Sequence, residues 1–367
     1  MAEVIEINDV ATLGEHRMAF QALWAETPGA SFFQTFDWLR IYWDHFGQDQ
    51  KLRVLVVKAA GKPIGIVPLC VRRQRHRVGE LRTLCYPLDG WGNAFGPLGL
   101  NQSATLTMAM RHVASTPRDW DRIQLDWVQH DTSDRGRTAR AMRHAGLAPQ
   151  VEAADSSSIV DTAGGWEGYL ATRSPKTRHE LRRHLRRIEE IDGAEFHRFR
   201  PAPLRCGDGD PHWHAYEQCE QIAEQSWQSN VDDGNTLGHP RYKAFYHDTH
   251  AAAARLGMVD MNLLSIHGRP AAFSYNYHCE GRVIGLRMGF DPEYHRAGVG
   301  AGLLALMLRD SCERGDQSLE LGAGGQDFKR RLQTRTTESH TLTHTPLGSW
   351  RSQAVRLGRW IRSRSAV

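Results

Sequence analysis

The sequence predicts an α/β protein of two similar domains, each with a mixed, mostly antiparallel sheet flanked by helices. Three observations lead there. The chain has 367 residues, too long for one small domain, and 40% of them are hydrophobic, enough for two buried cores. Both halves read in the same order: helix, antiparallel hairpin, strand, helix, strand. Between them, Ala153 to Gly165 is a run of small and polar residues that reads as a seam.

In the first half, Phe32 to Gly47 is helical in pattern, and Leu52 to Arg73 gives two strands about a Gly-Lys turn. Strand and helix patterns then alternate through "ELRTLCYPLDG", "SATLTMAMRHVAS", "DRIQLDWVQ" and "GRTARAMRHAGL". After the seam, Ser174 caps a helix with Pro175 at its first position. Leu181, Leu185 and Ile188 make its apolar stripe, and Lys176, Arg178, Arg182, Arg183, Arg186 and Arg187 surround that stripe. Two helices follow, Pro211 to Trp227 and Tyr242 to Arg255. Next come two strands about a Gly-Arg-Pro turn (Gly257 to Cys279), a third strand ending at Phe290, a helix after Gly298 and Gly300, and a last strand, "SLELGAG". The boundaries predicted are 1–160, 161–345 and a basic amphipathic tail, 346–367, where Trp350, Ala354, Leu357 and Ile361 share one face. Such a tail suits either a membrane surface or a docked terminal helix.

Composition excludes several classes. No apolar run reaches the roughly 20 residues of a membrane span, and the acidic start "MAEVIEINDVATLGEH" is not a signal peptide. The six cysteines form no CxxC pair and read as buried free thiols in a reducing cytoplasm. A net charge of +4 does not call for nucleic acid. His212-x-His214 and His247/His250 lack further ligands and HExxH spacing, so no metal is expected. A Gly-x-Ser-x-Gly elbow is absent, which leaves a hydrolase without support.

The chemical signal is the glycine pair. A helix N-terminus presents unpaired amides and partial positive charge, and glycine lets phosphate approach closely. Gly298 and Gly300 stand where a strand ends and "LLALMLRD" begins, so they make either a phosphate cradle or a ligand-free turn. No Walker A Gly-Lys-Ser/Thr follows, and the hairpin-linked strands before them do not suit a Rossmann unit.

"FDPEYHRAGVG", Phe290 to Gly300, resembles the acetyl-CoA-binding segment of the GNAT acyltransferases, whose pattern is Gln/Arg-x-x-Gly-x-Gly/Ala. His295 departs from its first position, and Arg296 stands beside it. In their order along the chain, "SPKTRHELRRHLRR" (from Ser174), "EQSWQ" (Glu224 to Gln228) and "LELGAGGQDFKRRL" (Leu319 to Leu332) resemble the BioF2-like and CelD-like double-GNAT subgroup, itself similar to Fem-type transferases. The resemblance implies tandem GNAT-like domains with a degenerate N-terminal copy, which lacks the glycine pair. It implies a cytoplasmic acyltransferase moving an acetyl or other acyl group from CoA to an amine, on a small molecule or a polysaccharide or envelope precursor.

On that resemblance, Arg296 and the residues Gly298, Val299, Gly300, Ala301 and Gly302 would hold the CoA pyrophosphate. Pantetheine would lie along Leu286 to Phe290, with an amide near Met288 or Gly289 facing the thioester oxygen. Glu320 is the first candidate for general base and Asp327 the second; each also reads as an ordinary polar residue of its strand or turn. Phe328 stands where the subgroup has a tyrosine. Lys329 either pairs with an anionic group or stays solvated. Glu224 and Trp227, a helical turn apart, would serve the acceptor, or Trp227 is core. Two alternatives remain: a Fem-like transferase using aminoacyl-tRNA, and a non-catalytic acyl-CoA-binding scaffold. The arginines of 174–190 read as a solvated face, without the aromatic interleaving that base stacking needs.

Overall fold

A computed structural model describes residues 2–76, 79–88, 94–226, 236–323, 327–346 and 353. The chain divides into two compact units, Met1–Asp155 with Glu338–Val367, and Ser156–Thr337.

The first unit contains β1 (Ala2–Ile7), α1 (Val10–Glu15), α2 (Arg17–Glu26), α3 (Phe36–Phe46), β2 (Gln50–Ala59), β3 (Lys62–His76), β4 (Gly79–Cys85), α4 (Gln102–Ser115), β5 (Arg122–Val128) and α5 (Arg137–His144). The chain crosses to the second unit within β6 (Gln150–Asp161). There it builds α6 (Gly165–Ala171), α7 (Pro175–Glu189), β7 (Ala194–Phe199), α8 (Trp213–Gln225), α9 (Lys243–Arg255), β8 (Val259–Ile266), β9 (Arg269–Cys279), β10 (Arg282–Phe290), α10 (Val299–Glu313), β11 (Ser318–Ala323) and α11 (Asp327–Leu332). It returns within β12 (Arg335–His344). From β1 and from β7 onward the two units repeat one order, strand, helices, three strands, helix, strand, helix, strand, as the tandem reading expects.

Strands run β1-β2-β3-β4-β5-β12 in the first unit and β7-β8-β9-β10-β11-β6 in the second. Neighbours are antiparallel except β4 with β5 and β10 with β11, which are parallel. The last strands are exchanged. β6 closes the first repeat in sequence, yet Ile159 and Val160 pair with Glu320 and Leu319 of β11. β12 closes the second repeat, yet Leu342 pairs with Leu125 of β5. Residues from Glu338 therefore group with the N-terminal unit rather than with the C-terminal one.

Local chemistry explains the elements. Three hairpins turn on a non-glycine followed by glycine, both at positive φ: Ala60-Gly61, His267-Gly268 and Glu280-Gly281, which is the type I′ requirement. Ser174 accepts from the Thr177 amide (3.2 Å) and caps α7. Leu181, Leu185 and Ile188 are buried against Val299 and Leu303 of α10, and Val283 and Leu319 complete that core from the sheet. Leu13, Phe20, Leu39, Val54, Val56 and Ile66 fill the core of the first unit. Five cysteines are buried free thiols; Cys206 is exposed, because its loop follows β7 at the surface. Of the predicted tail, only Pro346 and Gln353 are among the described residues.

Candidate active site at the α10 N-terminus

Gly298 adopts the left-handed conformation (φ 73°, ψ 28°) and opens α10 with no side-chain cap. The amides of Val299, Gly300 and Ala301 precede the first intrahelical bond, which Gly302 donates to the Gly298 carbonyl (3.0 Å). The matching helix of the other unit differs. Asn101 caps α4 with its own side chain, accepting from the Ala104 amide (3.1 Å), so a ligand there would compete with a carboxamide. That is the physical content of the degenerate copy.

The glycines have different reasons. A Cβ at Gly302 would stand 2.3 Å from Ile188 Cγ1, so this glycine lets α7 and α10 pack closely. At Gly289 a Cβ would meet the Phe273 ring at 2.8 Å, and at Gly300 the Phe290 ring at 3.0 Å. Ala301 is exposed. Arg296 is exposed too, and its carbonyl accepts from Arg187 of α7. The Arg187 guanidinium lies 3.6 Å from where a Gly298 Cβ would be, which sets a cation at the start of α10. Sequence reasoning missed Arg187, one of several arginines on its helix; only the packing of Ile188 against Gly302 singles it out.

β10 and β11 pair in parallel over Arg282–Ile284 against Ser318–Glu320, while β10 pairs with β9 as far as Phe290. The two parallel strands thus part after Ile284 and Glu320. A Cβ at Gly285 would lie 2.5 Å from the Glu320 carbonyl, and Gly322 is left-handed (φ 75°), so two glycines permit the close approach where the strands separate. Met288, Gly289 and Phe290 line β10 beyond that point.

Glu320 is half-buried at the fork. Strand register puts it in one row with Tyr277, Ile284 and Ile159, on the sheet face opposite Leu319, which packs under α10. Asp327 is exposed and ion-paired with Arg330, one helical turn away. Phe328 is partly exposed. Lys329 is buried, and its ammonium donates to the carbonyls of Ala323 (2.6 Å) and Gly322 (3.2 Å). It holds the end of β11 and is not the solvated lysine of the simpler reading. Glu224 is exposed, 3.6 Å from Lys243. Trp227 lies outside the described residues.

A second carboxylate, absent from the sequence-based candidates, lies on α8, which packs over β9 and β10. Glu220 is buried; burial raises its pKa above the usual carboxylate value, and the Lys243 ammonium at 3.3 Å opposes that shift. Among the described residues its Oε1 has no hydrogen-bond partner. Beside it, Tyr216 stacks on His250 (4.3 Å). His250 is fully buried, and burial lowers its pKa to about 4, so the ring is neutral at pH 7. Its Nε2 donates to the Pro211 carbonyl (2.6 Å), which leaves Nδ1 to accept from the Tyr275 hydroxyl (3.0 Å). Both nitrogens of His250 are therefore used in the core.

Residues 175–330 match the family model described as an acetyltransferase (GNAT) domain. No curated protein matches the chain in sequence. Among solved structures the chain is similar to FemX, with a TM-score of 0.60 at 10% identity, over 94% of this chain and 97% of that one. It is also similar to the C-terminal domain of a putative lysylphosphatidylglycerol synthetase from Agrobacterium fabrum, with a TM-score of 0.55 at 12% identity, covering 94% and 95%. A conserved protein of unknown function from Bacteroides thetaiotaomicron VPI-5482 gives 0.52 at 12% identity, covering 94% and 100%. At such identities the likeness speaks for the fold, and the family match falls on the unit that holds the uncapped α10 and the β10–β11 fork. The similarity to an acetyltransferase (GNAT) domain thus rests on residues 175–330 of the second unit.

Proposed function

We propose that the chain is an acyl-CoA-dependent N-acyltransferase whose donor site lies at the α10 N-terminus and the β10–β11 fork. The observation that carries this is the pairing of two features in one unit: an uncapped helix start behind a left-handed glycine, and a strand fork at its side. The first takes a pyrophosphate and the second takes an extended pantetheine that adds to β10. An amide of Met288 or Gly289 would then face the thioester oxygen as negative charge grows on it, a contact worth roughly 2.7–4 kcal/mol in comparable sites. Glu320, at the base of the fork, would take the proton of the attacking amine. Acceptors of the kind used in polysaccharide or envelope synthesis fit the resemblance in sequence.

The test is thermal unfolding with acetyl-CoA. At 100 times its dissociation constant the ligand should stabilise the wild-type protein by about 2.7 kcal/mol. Ala301→Glu should abolish that rise. Its position is exposed and in the first helical turn, where a carboxylate favours the helix but repels a pyrophosphate. Gly300 is the poorer choice, because any side chain there displaces Phe290. Unaltered CoA affinity in Ala301→Glu would remove the α10 N-terminus as the phosphate site. Arg187→Ala should weaken CoA about tenfold, the scale of one charge-assisted contact, while Arg183→Ala on the outer face of α7 leaves it unchanged. Equal losses in the two variants would mean that net charge, not placement, is what CoA feels.

A second reading, an aminoacyl-tRNA donor as in Fem-type enzymes, draws on one observation. An open groove of about 620 Å³ runs along α7, lined by Trp166, Arg178, Arg182, Arg186 and Arg309. Saturable, salt-sensitive binding of charged tRNA, with no response to acetyl-CoA, would favour it.

A further inference from the structure

We propose that Asp131, Glu338 and His340, in the N-terminal unit, form a binding site for a divalent transition-metal ion of the zinc type. The sequence reading expects no metal, and no local spacing links these three residues. The fold brings them together. Asp131 lies in the loop between β5 and α5, and Glu338 and His340 lie two apart on β12, whose His340 is in register with Val128 of β5. One ligand atom from each of the three lies within 4.8 Å of the others.

His340 supplies the independent observation. It is only 8% exposed. Among the described residues its Nδ1 is buried with no hydrogen-bond partner. Its Nε2 is directed at two carboxylates, 3.6 Å from Asp131 Oδ2 and 4.0 Å from Glu338 Oε2. Those separations are too long for hydrogen bonds. Ligands at about 2.0–2.2 Å around a tetrahedral zinc stand roughly 3.3 Å apart, so a contraction of a few tenths of an ångström to an ångström or so closes the site. The fourth position is open to water, and both carboxylates are more than half exposed, which leaves an entry path.

The surroundings favour a fixed site. The loop is held by Asp134 N donating to Gln129 O (2.9 Å) and Gly136 N donating to His130 O (2.8 Å). Asp134 is committed to α5, accepting from the Thr138 amide and hydroxyl, and is therefore not a ligand. The His130 ring stands 5.4 Å from that of His340, with Nε2 3.9 Å from Asp131 Oδ1. One imidazole with two carboxylates selects a zinc-like ion over magnesium or calcium, which prefer all-oxygen shells. The ion would link the β5–α5 loop to the strand on which the chain returns from the second unit, and its open position is separate from the α10 donor site.

The experiment is calorimetric titration of the full-length, tag-free chain with Zn²⁺, with Co²⁺ absorption as a second readout. Wild type should take up one ion per chain, and the double variant Asp131→Asn/Glu338→Gln should bind at least 50-fold more weakly. Both changes are at exposed, near-isosteric positions, so the fold survives them. At 100 times the dissociation constant the unfolding midpoint should rise by about 5–10 °C in wild type and not in the double variant. Co²⁺ should give visible bands of a four-coordinate nitrogen and oxygen site that His340→Gln removes. Absence of saturable binding, or equal affinity in wild type and the double variant, would overturn the site and leave a simple His–carboxylate ion pair.

Discussion

Replacing Glu320 by glutamine should lower kcat for acyl transfer about 10²–10⁴-fold, the usual contribution of a positioned base, with little change in acetyl-CoA affinity. Three features of the structure lead to this. Glu320 is the last residue of β11 that pairs with β10 before the strands part. It is half-buried, in a row with Tyr277, Ile284 and Ile159. It faces away from the α10 core and toward the side of the sheet that α8 covers. Glutamine keeps the shape and the neutral hydrogen bonds, so CoA-dependent stabilisation should survive. Turnover is read as free thiol released from acetyl-CoA in the presence of a panel of amines. A base must be ionised to act, so wild-type activity should show an acid limb, and this limb should vanish in the variant. Glu220→Gln is the counter-test. Its carboxyl is the one that burial pushes up, and it lies under the same sheet face. If Glu220→Gln removes the acid limb and Glu320→Gln does not, the base has been misplaced by one layer of the fold.

Much of the local fold around this candidate site was legible in the sequence, for definite reasons. Ser174-Pro175 and the 181/185/188 stripe are local signals, and they give α7 its start and its buried face. The hairpins announce themselves by glycine. Gly298 was legible because a strand, a turn and a helix-forming run meet there. What the sequence hides is long-range. Gly300 and Gly302 look like a phosphate-binding pair and Gly289 like a thioester-facing amide, but each also accommodates a side chain from elsewhere: Phe290, Ile188 and Phe273 in turn. The six cations around the α7 stripe look equivalent until α10 packs beside Arg187. Lys329 reads as solvated because nothing local shows that the left-handed turn at Gly322 brings two carbonyls to it. The exchanged strands are hidden most deeply. β6 and β12 carry similar alternation, and no residue in either says which repeat's sheet it will join.

Replacing Asp260 by alanine should destabilise the second unit by about 3–5 kcal/mol, the cost of removing one partner from a buried ion pair. Asp260 is fully buried on β8. Arg198 of β7 meets it through Nη2 (2.6 Å) and Nε (3.1 Å), and Arg200 reaches the same carboxylate at 2.6 Å. Asn262 donates to Oδ1 at 2.6 Å. Asp316 receives both terminal nitrogens of Arg200 at 2.9 Å, and Asp310 takes Arg198 Nη1 at 2.8 Å. Three carboxylates therefore share two guanidiniums where β7 and β8 meet the C-terminal end of α10. Burial pushes the carboxyls of Asp260 and Asp316 up, but the arginine charges and hydrogen bonds, with His278 at Asp316, win and hold both below the ordinary 3.8. A depressed folded pKa means stabilisation that is complete above the unfolded value and lost as pH falls through the folded one. The second unit should thus lose stability only below about pH 4, and Asp260→Ala should flatten that acid limb. Asp260→Asn separates the charge from the shape: it keeps the packing but leaves the guanidiniums one negative charge short, so its loss should approach that of alanine. The measurement is urea unfolding followed by the fluorescence of the second unit's Trp166, Trp213 and Trp227, in a background where the first unit's tryptophans are replaced by phenylalanine. A loss below about 1 kcal/mol in both variants would mean that Asp310 and Asp316 suffice to neutralise Arg198 and Arg200, and that the network is redundant rather than cooperative.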